Sequence, residues 1–317
     1  MKVLSLEHVA AAAADPARRT ARVALDDIDL TRPFVPEDQT QLYFTPGYAH
    51  LSRVQRIRYN QLFGLRINEY IMMLERDFVD PVLTALRARA AGGTGLRQAL
   101  DGMLAEESRH YQAFAALNRR CAPVDYADRE VQFMRLRPYE RLALRVMHAG
   151  ARWLPFALWI IVAMEESSLG LAAALTRPGA GALGPLEPGF VAVHREHAKD
   201  EARHIHVDVH LIRNCLARLP AAWRAVNARL FCAFMRDMTR PRAGGTGARV
   251  VRRLVAEFPE LAPRQDALIA GLVALKDHGA FQRSLFNRAL TPLAFSLYDQ
   301  EPALAGLGKV LLAYERA

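Results

Sequence analysis

The chain has 317 residues, of which 51% are hydrophobic, which is enough to bury a large core and excludes an intrinsically disordered protein. Its three cysteines lie far apart and form no C-x-x-C pair, which argues against a disulfide framework and against a thiolate zinc site. The net charge of +9 comes from arginines scattered without interleaved aromatic residues or a nucleic-acid-binding motif, so no nucleic-acid partner is expected.

Residues 1–49 are expected to form an irregular lead-in to the fold with one alanine-rich helix. Glu7 and His8 interrupt the apolar stretch near the N-terminus, so the sequence predicts no signal peptide and a cytoplasmic protein. The longest apolar run, WLPFALWIIVAM at 153–164, is shorter than the roughly 20 residues that span a bilayer. It therefore predicts a buried core helix, and no membrane partner is expected.

Helical periodicity dominates the rest of the sequence, and sustained strand patterns are absent. Long helices are predicted at about 51–90, 96–119, 138–177 (with a break at Pro155 left open) and 187–218, and shorter ones from 220 to the end. The loop before the fourth long helix contains GAGALG (179–184), which spells G-x-G-x-x-G. It follows a helix rather than a strand, so it predicts a loop and not a dinucleotide site.

Two of the predicted long helices each carry a Glu-x-x-His pair. Glu107 and His110 lie within the apolar stripe of the second helix, where a lone ionised carboxylate would be too costly to bury. Their i, i+3 spacing places the two side chains side by side, so both can bind one ion. Glu201 and His204 repeat the pair in the fourth helix, which argues against a chance arrangement.

Two helices that each carry a Glu-x-x-His pair supply half of the ligand helices of a ferritin-like di-iron four-helix bundle. Such a bundle needs one further glutamate from each of the other two helices. In the first helix, Glu75 has apolar neighbours at helical spacing, whereas Glu69 lies among charged residues on a predicted solvated face. Glu75 is therefore the predicted ligand. The third helix is almost wholly apolar but holds adjacent glutamates, Glu165 and Glu166, and periodicity alone does not separate them.

The predicted architecture is thus all-α, with a ferritin-like di-iron four-helix bundle at 50–218. Residues 219–317 are expected to form additional helices packed on the bundle in the same domain. Oxygen-rich ligands with only a few imidazoles favour iron or manganese over structural zinc.

The stretch HREHAKDEARH (194–204) carries a further histidine, His197, one turn before Glu201 on the same helix face. This alignment predicts His197 as a third imidazole ligand. Asp200 and Glu106 each directly precede a ligand glutamate. They are predicted to hold the histidines of the opposite helices, because metal-bound imidazoles usually donate their other N–H to a carboxylate.

The motifs on these helices resemble those of a known family, the non-haem di-iron aminoarene N-oxygenases typified by the p-aminobenzoate N-oxygenases. The resemblance covers about residues 55–215. NEYIMMLERDFVDP (68–81) resembles the first ligand helix of the family, with an Asn seven residues before the ligand and an acidic-Pro pair after it, and this selects Glu75. EESRH (106–110) resembles the second ligand helix.

The other two ligand helices of the family also have counterparts. ESSLG (166–170) is similar to the third, and its register selects Glu166 over Glu165. HAKDEARH (197–204) matches the H-x-x-x-E-x-x-H of the fourth, including the additional His197.

The resemblance implies a centre of two iron ions held by seven side chains: Glu75, Glu107, His110, Glu166, His197, Glu201 and His204. It implies O2 as co-substrate, a peroxo-di-ferric species that attacks the substrate, and a reductant that resets the metals. The implied reaction is N-oxygenation of a small aryl amine through hydroxylamine and nitroso levels. An anionic aromatic amine would suit the net positive charge of the chain.

The sequence carries no flavin, NAD or iron–sulfur motif, so a separate electron donor, a reductase or ferredoxin, is expected. A homodimer is also expected, because apolar residues of the C-terminal helices could serve a subunit contact. Two other functions stay open. Carbon hydroxylation or desaturation would use the same bundle, and a ferritin-like iron-handling or peroxide-scavenging protein would use a similar one but would not need His197.

Overall fold

The computed structural model describes residues 3–15, 23–150, 153–177, 179, 181–216 and 218–315. Within these ranges the chain forms thirteen α-helices and no β-strand, as the all-α prediction requires. The helices are α1 (Leu6–Ala14), α2 (Pro46–Ala49), α3 (Arg53–Met73), α4 (Asp80–Arg87), α5 (Gly95–Cys121), α6 (Pro138–Ala149), α7 (Ala157–Leu175), α8 (Pro188–Cys215), α9 (Ala221–Met238), α10 (Thr246–Glu257), α11 (Gln265–Ala274), α12 (Gly279–Leu285) and α13 (Pro292–Asp299).

Four long helical segments form the bundle, close to the predicted positions. A π-helical segment, Leu74–Val79, joins α3 to α4, so that the first predicted helix is nearly continuous. The third predicted helix is divided into α6 and α7, and Pro155 lies in the break between them. The first bundle helix, α5, α7 and α8 therefore form the bundle.

The starts of these helices follow from local sequence. Ser52 and Gln55 form a reciprocal capping box at the start of α3. The Thr94 side chain accepts from the Arg97 N–H at the start of α5. Pro188 occupies the first turn of α8, where a missing N–H costs nothing.

Two separate hydrophobic clusters fill the bundle. One contains apolar residues of α3, the C-terminal half of α5 and the start of α8. The other contains apolar residues of α4, the N-terminal half of α5, α7 and the C-terminal half of α8. The buried glutamates and histidines of the ligand motifs lie between these clusters along each helix. A polar layer therefore crosses the bundle, with apolar packing on both sides of it.

The C-terminal helices pack against the outside of the bundle. α10 contacts α3, whereas α9 and α13 contact α7. α7 is long and apolar enough to cross a membrane, but 67% of its most apolar window is buried inside the protein, as in a core helix. The contact between α13 and α7 positions one of the two candidate glutamates of α7.

Candidate metal centre

Two groups of buried side chains meet in the polar layer, and each offers four ligand atoms within 4.8 Å of one another. Group 1 consists of Glu75, His110, His197 and Glu201, and group 2 consists of Glu107, Glu165, Glu201 and His204. All seven residues are between 1% and 5% exposed. Glu201 belongs to both groups, so the two groups are adjacent and share one carboxylate.

Group 1 is arranged around two imidazoles. The His197 Nε2 atom lies 3.1 Å from Glu75 Oε1 and 2.9 Å from Glu201 Oε1. The His110 Nδ1 atom lies 3.7 Å from Glu75 Oε1 and 3.4 Å from Glu201 Oε1. Ligand atoms from the π-helical segment, α5 and α8 thus converge on one small volume.

Group 2 is arranged around a single imidazole. The His204 Nδ1 atom lies 3.2 Å from Glu107 Oε1, 3.5 Å from Glu165 Oε2 and 3.6 Å from Glu201 Oε1. The other oxygen of Glu107 lies 4.0 Å from the Nδ1 atom of His110 in group 1. Glu107 and Glu201 therefore both lie between the two groups.

The outer nitrogens of two histidines are held by carboxylates on the opposite helix. His110 Nε2 lies 3.0 Å from Asp200 Oδ2, and His204 Nε2 lies 2.9 Å from Glu106 Oε2. The predicted contacts of Asp200 and Glu106 with histidines of the opposite helices are confirmed. When Nε2 donates to a carboxylate, Nδ1 presents its lone pair to the interior of the cluster.

Glu75 reaches group 1 from the π-helical segment. The Asp80 N–H donates to the carbonyl of Glu75, five residues earlier instead of four. Pro81 follows directly, and a proline within a helix removes an N–H and crowds the carbonyl four residues before it. A π turn inserts an extra residue and re-aims the side chains around it, frequently at functional sites. Asp80-Pro81 is therefore the sequence signal for this irregularity.

The predicted third-helix ligand, Glu166, is corrected by the structure, which turns Glu165 toward the cluster instead. Glu166 faces the start of α13, where its two oxygens accept from the N–H groups of Leu293 and Ala294 at 2.8 Å and 2.9 Å. Adjacent residues on a helix point about 100° apart, so the two glutamates cannot both face the cluster. The Glu166 carboxylate caps the N-terminus of α13, whose free N–H groups attract negative charge.

A family model described as p-aminobenzoate N-oxygenase AurF matches residues 15–257 of the chain. This span contains all four ligand-bearing helical segments and more than three quarters of the sequence. The chain belongs to the p-aminobenzoate N-oxygenase family. No curated protein matches the chain in a sequence comparison. Family membership makes the fold a ferritin-like di-iron helical bundle and places the chain among the oxygenases, a class of oxidoreductases.

Glu69 does not lie on a solvated face, contrary to the sequence-based expectation. It is fully buried and accepts from the Tyr126 hydroxyl at 2.6 Å. It also accepts from the N–H groups of Gln132, Phe133 and Met134, each at 2.7 Å. The loop between α5 and α6 folds over α3 and supplies these donors, which no periodicity could indicate. Glu69 anchors this loop and belongs to neither ligand group.

His194 and Asp208 extend the polar face of α8 beyond the cluster but join neither group. His194 Nε2 lies 2.9 Å from Asn68 Oδ1, and burial lowers the pKa of His194 to about 3, so the ring is neutral. Asp208 is fully buried one turn beyond His204, and burial raises the pKa of its carboxyl well above the usual range.

The electrostatics of the cluster favour a bound cation. Burial and then the charges of Glu107 and Glu201 raise the pKa of Glu75 well above its usual range. Burial lowers the pKa of His197. Burial acts in the same direction on His204, but the neighbouring carboxylates, Glu201 first, outweigh it and raise the pKa of His204 well above its usual range. Buried carboxylates therefore outnumber the cations available to them, and protons or metal ions must supply the difference.

The donor set fits the two iron ions that the N-oxygenase family implies. Five buried ligand atoms lack a hydrogen-bond partner among the residues described: Glu75 Oε2, Glu107 Oε1, His110 Nδ1, Glu165 Oε2 and His204 Nδ1. Each unsatisfied buried polar atom costs about 1–3 kcal/mol, so their concentration in one place indicates a ligand. Four carboxylates and three imidazoles form the donor set of ferritin-like di-iron or di-manganese proteins with one additional histidine.

A cavity of about 890 Å³ lies between α5 and α8 and reaches the cluster at His110 and His197. Phe114 forms part of its lining, and the Phe114 and His197 rings meet edge to face with centroids 5.0 Å apart. Arg109 and Arg120 line its outer part. The volume is within the range of small-molecule sites in proteins, and the lining combines aromatic, cationic and acidic groups, the last being Asp26 and Glu196.

Proposed function

We propose that this protein is an O2-dependent di-iron N-oxygenase that oxidises the nitrogen of a small aryl amine. The observation that carries the proposal is the pair of adjoining ligand groups that share Glu201, in a chain of the p-aminobenzoate N-oxygenase family. Group 1 and group 2 would each hold one iron ion. A ferritin-like storage protein would not need His197, the additional imidazole in group 1.

The residues of the chain orient the metals and keep the site dry. When bound, the two iron ions supply the binding and reduction of O2. Asp200 and Glu106 hold His110 and His204 in the tautomer whose Nδ1 faces the metals. The apolar clusters on both sides of the polar layer would limit the access of water to bound metals to the cavity beside His110 and His197.

The cavity beside His110 and His197 is the proposed substrate site. An aromatic ring would lie against Phe114, with its amine directed toward the cluster. Arg109 and Arg120 at the outer end would favour a substrate that carries an anionic group, because a guanidinium binds a carboxylate through paired hydrogen bonds. A small aryl amine therefore matches the size of the cavity, whose lining also holds two acidic residues, Asp26 and Glu196, beside the two arginines.

The test is an incubation of iron-loaded protein with a panel of aryl amines, 18O2 and a chemical reductant, followed by product analysis. We expect labelled oxygen on nitrogen, as a hydroxylamine, nitroso or nitro product, at higher yield for anionic than for neutral amines. Metal-free protein is the control. Oxygen found only on carbon would favour the hydroxylase alternative, and no oxygenated product from any amine would contradict the proposal.

A further inference from the structure

A chain of hydrogen bonds connects both ligand groups to a single arginine at the surface. Arg203 Nη2 lies 2.7 Å from Glu106 Oε1 and also donates to Asp200 Oδ1. These two carboxylates in turn hold His204 and His110. Arg203 is 14% exposed, so its guanidinium joins both imidazole–carboxylate pairs to the outside of the molecule.

The exposed charged side chains of α5 and α8 around this arginine are cationic, and each lies within 4.0 Å of a carboxylate of lower exposure. In α5 from residue 106 onward, and in α8 up to residue 203, every charged side chain that is not buried is an arginine or a lysine. The carboxylate side chains of the same stretches are at most 11% exposed: Glu106, Glu107, Glu196, Asp200 and Glu201. Arg109, Arg195 and Lys199 are 41%, 61% and 54% exposed. We refer to Arg109, Arg195, Lys199 and Arg203 as the basic face.

We propose that the basic face is the docking surface of an acidic protein that carries single electrons. The inference rests on the proposed function, because a di-iron oxygenase consumes electrons and no flavin, NAD or iron–sulfur motif occurs in this chain. Opposite charges steer a carrier to such a face and accelerate its association. Electron-transfer complexes are small and short-lived, so a patch of a few exposed cations is sufficient.

The electron balance requires two encounters. Each reduced carrier would give up one electron at the basic face, so two carriers in succession would supply the two electrons that a pair of ferric ions held by groups 1 and 2 would need. The route through Arg203 serves both groups equally, because Asp200 leads to His110 and Glu106 leads to His204. Electron transfer slows steeply with distance, so docking directly above these hydrogen bonds favours reduction of both ions.

The experiment uses a reduced plant-type [2Fe–2S] ferredoxin, a small acidic protein, as the probe. Anaerobic stopped-flow mixing with the oxidised iron-loaded protein gives the second-order rate constant of reduction as a function of ionic strength. We expect the rate to fall as salt rises, and to fall about tenfold at low salt in the double variant Arg195→Glu/Lys199→Glu. Reduction of the same variant by dithionite checks that the metal centre is intact.

Arg229→Glu is the matched control, because Arg229 is an exposed arginine on α9, a helix that packs against α7. We expect this variant to change the ferredoxin rate less than twofold. Equal losses in the control and the double variant would show a net-charge effect and overturn the proposal. Binding of an oligonucleotide to the basic face, with no binding of ferredoxin, would overturn it as well.

Arg203→Lys separates docking from transfer, because lysine keeps the charge but lacks the planar fork that joins Asp200 to Glu106. We expect an unchanged dissociation constant for ferredoxin and a limiting transfer rate lowered severalfold, at unchanged iron content. An unchanged limiting rate would overturn the route through this arginine.

Failure of the proposed reaction and failure of the docking surface are distinguishable. The affinity of oxidised ferredoxin for metal-free protein, measured by NMR titration, depends on the basic face and not on iron or substrate. If this affinity falls in Arg195→Glu/Lys199→Glu while no amine is oxidised, the docking surface stands and the reaction assignment fails. If amines are oxidised and the affinity is the same in both variants, the docking surface is wrong.

Discussion

The two ligand groups share Glu201 but differ in the rest of their donors. Group 1 adds two imidazoles and one carboxylate, from His110, His197 and Glu75, whereas group 2 adds one imidazole and two carboxylates. The additional imidazole of group 1 is His197, one turn before the shared glutamate, and group 2 has one more carboxylate. Carboxylates bring charge to a metal and imidazoles do not, so two iron ions bound here would sit in unequal electrostatic environments. Each half of the centre can therefore be altered separately.

Removal of the shared ligand, Glu201, should disrupt both ligand groups at once. In Glu201→Ala both groups lose a carboxylate, so we expect iron to fall from about two ions per chain to nearly none, with loss of activity. The substitution also removes the buried Glu201 carboxylate, which is costly to bury without a partner. Helix content and folding should therefore be retained in the metal-free protein. Iron analysis and circular dichroism measure both effects.

Glu196→Ala is the control for this variant, since Glu196 is buried on the same helix and its carboxylate binds Lys199 at 2.7 Å instead of the cluster. It should keep both iron ions. Two ions retained in Glu201→Ala would show that the groups do not share a ligand.

Removal of one unshared ligand should separate the halves. His197→Ala should lose the ion of group 1, and Glu165→Ala the ion of group 2, each leaving about one iron per chain. Mössbauer spectra of the two variants should differ, because the remaining ion is bound by two imidazoles in Glu165→Ala and by one in His197→Ala. Identical spectra, or full turnover in His197→Ala, would count against two unequal sites.

Removal of Asp200 or Glu106, the carboxylates that hold His110 and His204, should weaken the binding of one iron ion without abolishing it. Loss of such a partner typically lowers metal affinity about 10- to 100-fold. We expect Asp200→Ala to weaken the ion of group 1 and Glu106→Ala that of group 2, because these residues hold His110 and His204. Competition with a chelator measures each affinity. Equal weakening of both ions in both variants would contradict the assignment.

The smallest effect concerns the neighbouring glutamates of α7. Glu166→Gln should keep both iron ions but lower the free energy of unfolding by about 1 kcal/mol, because the N-terminus of α13 loses its charged cap. Glu165→Gln should do the reverse and lose iron without that loss of stability. Thermal unfolding of the metal-free variants, with iron analysis in parallel, decides which glutamate faces the cluster. Iron loss in Glu166→Gln would restore the register expected from the sequence.

Much of the fold and the centre could be predicted from local sequence. The bundle helices appear in the 3.6-residue periodicity, and Glu107, His110, Glu201 and His204 appear in the two Glu-x-x-His pairs. A carboxylate within an apolar stripe needs a cation, so burial and spacing together identify these residues. The structure brings these four together, and it also places Glu75 and His197 in the cluster. Their role as metal ligands remains a prediction that the variants above test.

Other features depend on contacts between distant parts of the chain. Glu69 is buried because a loop more than 50 residues away supplies its donors. Arg203 becomes the common partner of Asp200 and Glu106 only when α5 and α8 pack side by side, since Glu106 lies 97 residues from it. Periodicity describes one helix at a time, and it carries no information about what covers a given face.

The sequence by itself determined the all-α class, the four ligand-bearing segments and the pairing of glutamate with histidine, because each follows from spacing along one helix. Tertiary structure alone decided between Glu165 and Glu166. Both are buried glutamates on the same apolar helix, and they differ only in what lies opposite: the cluster for one, and the free N–H groups of α13, 127 residues further along the chain, for the other. The partner that stabilises a buried charge determines its role, and that partner is fixed only when the chain folds.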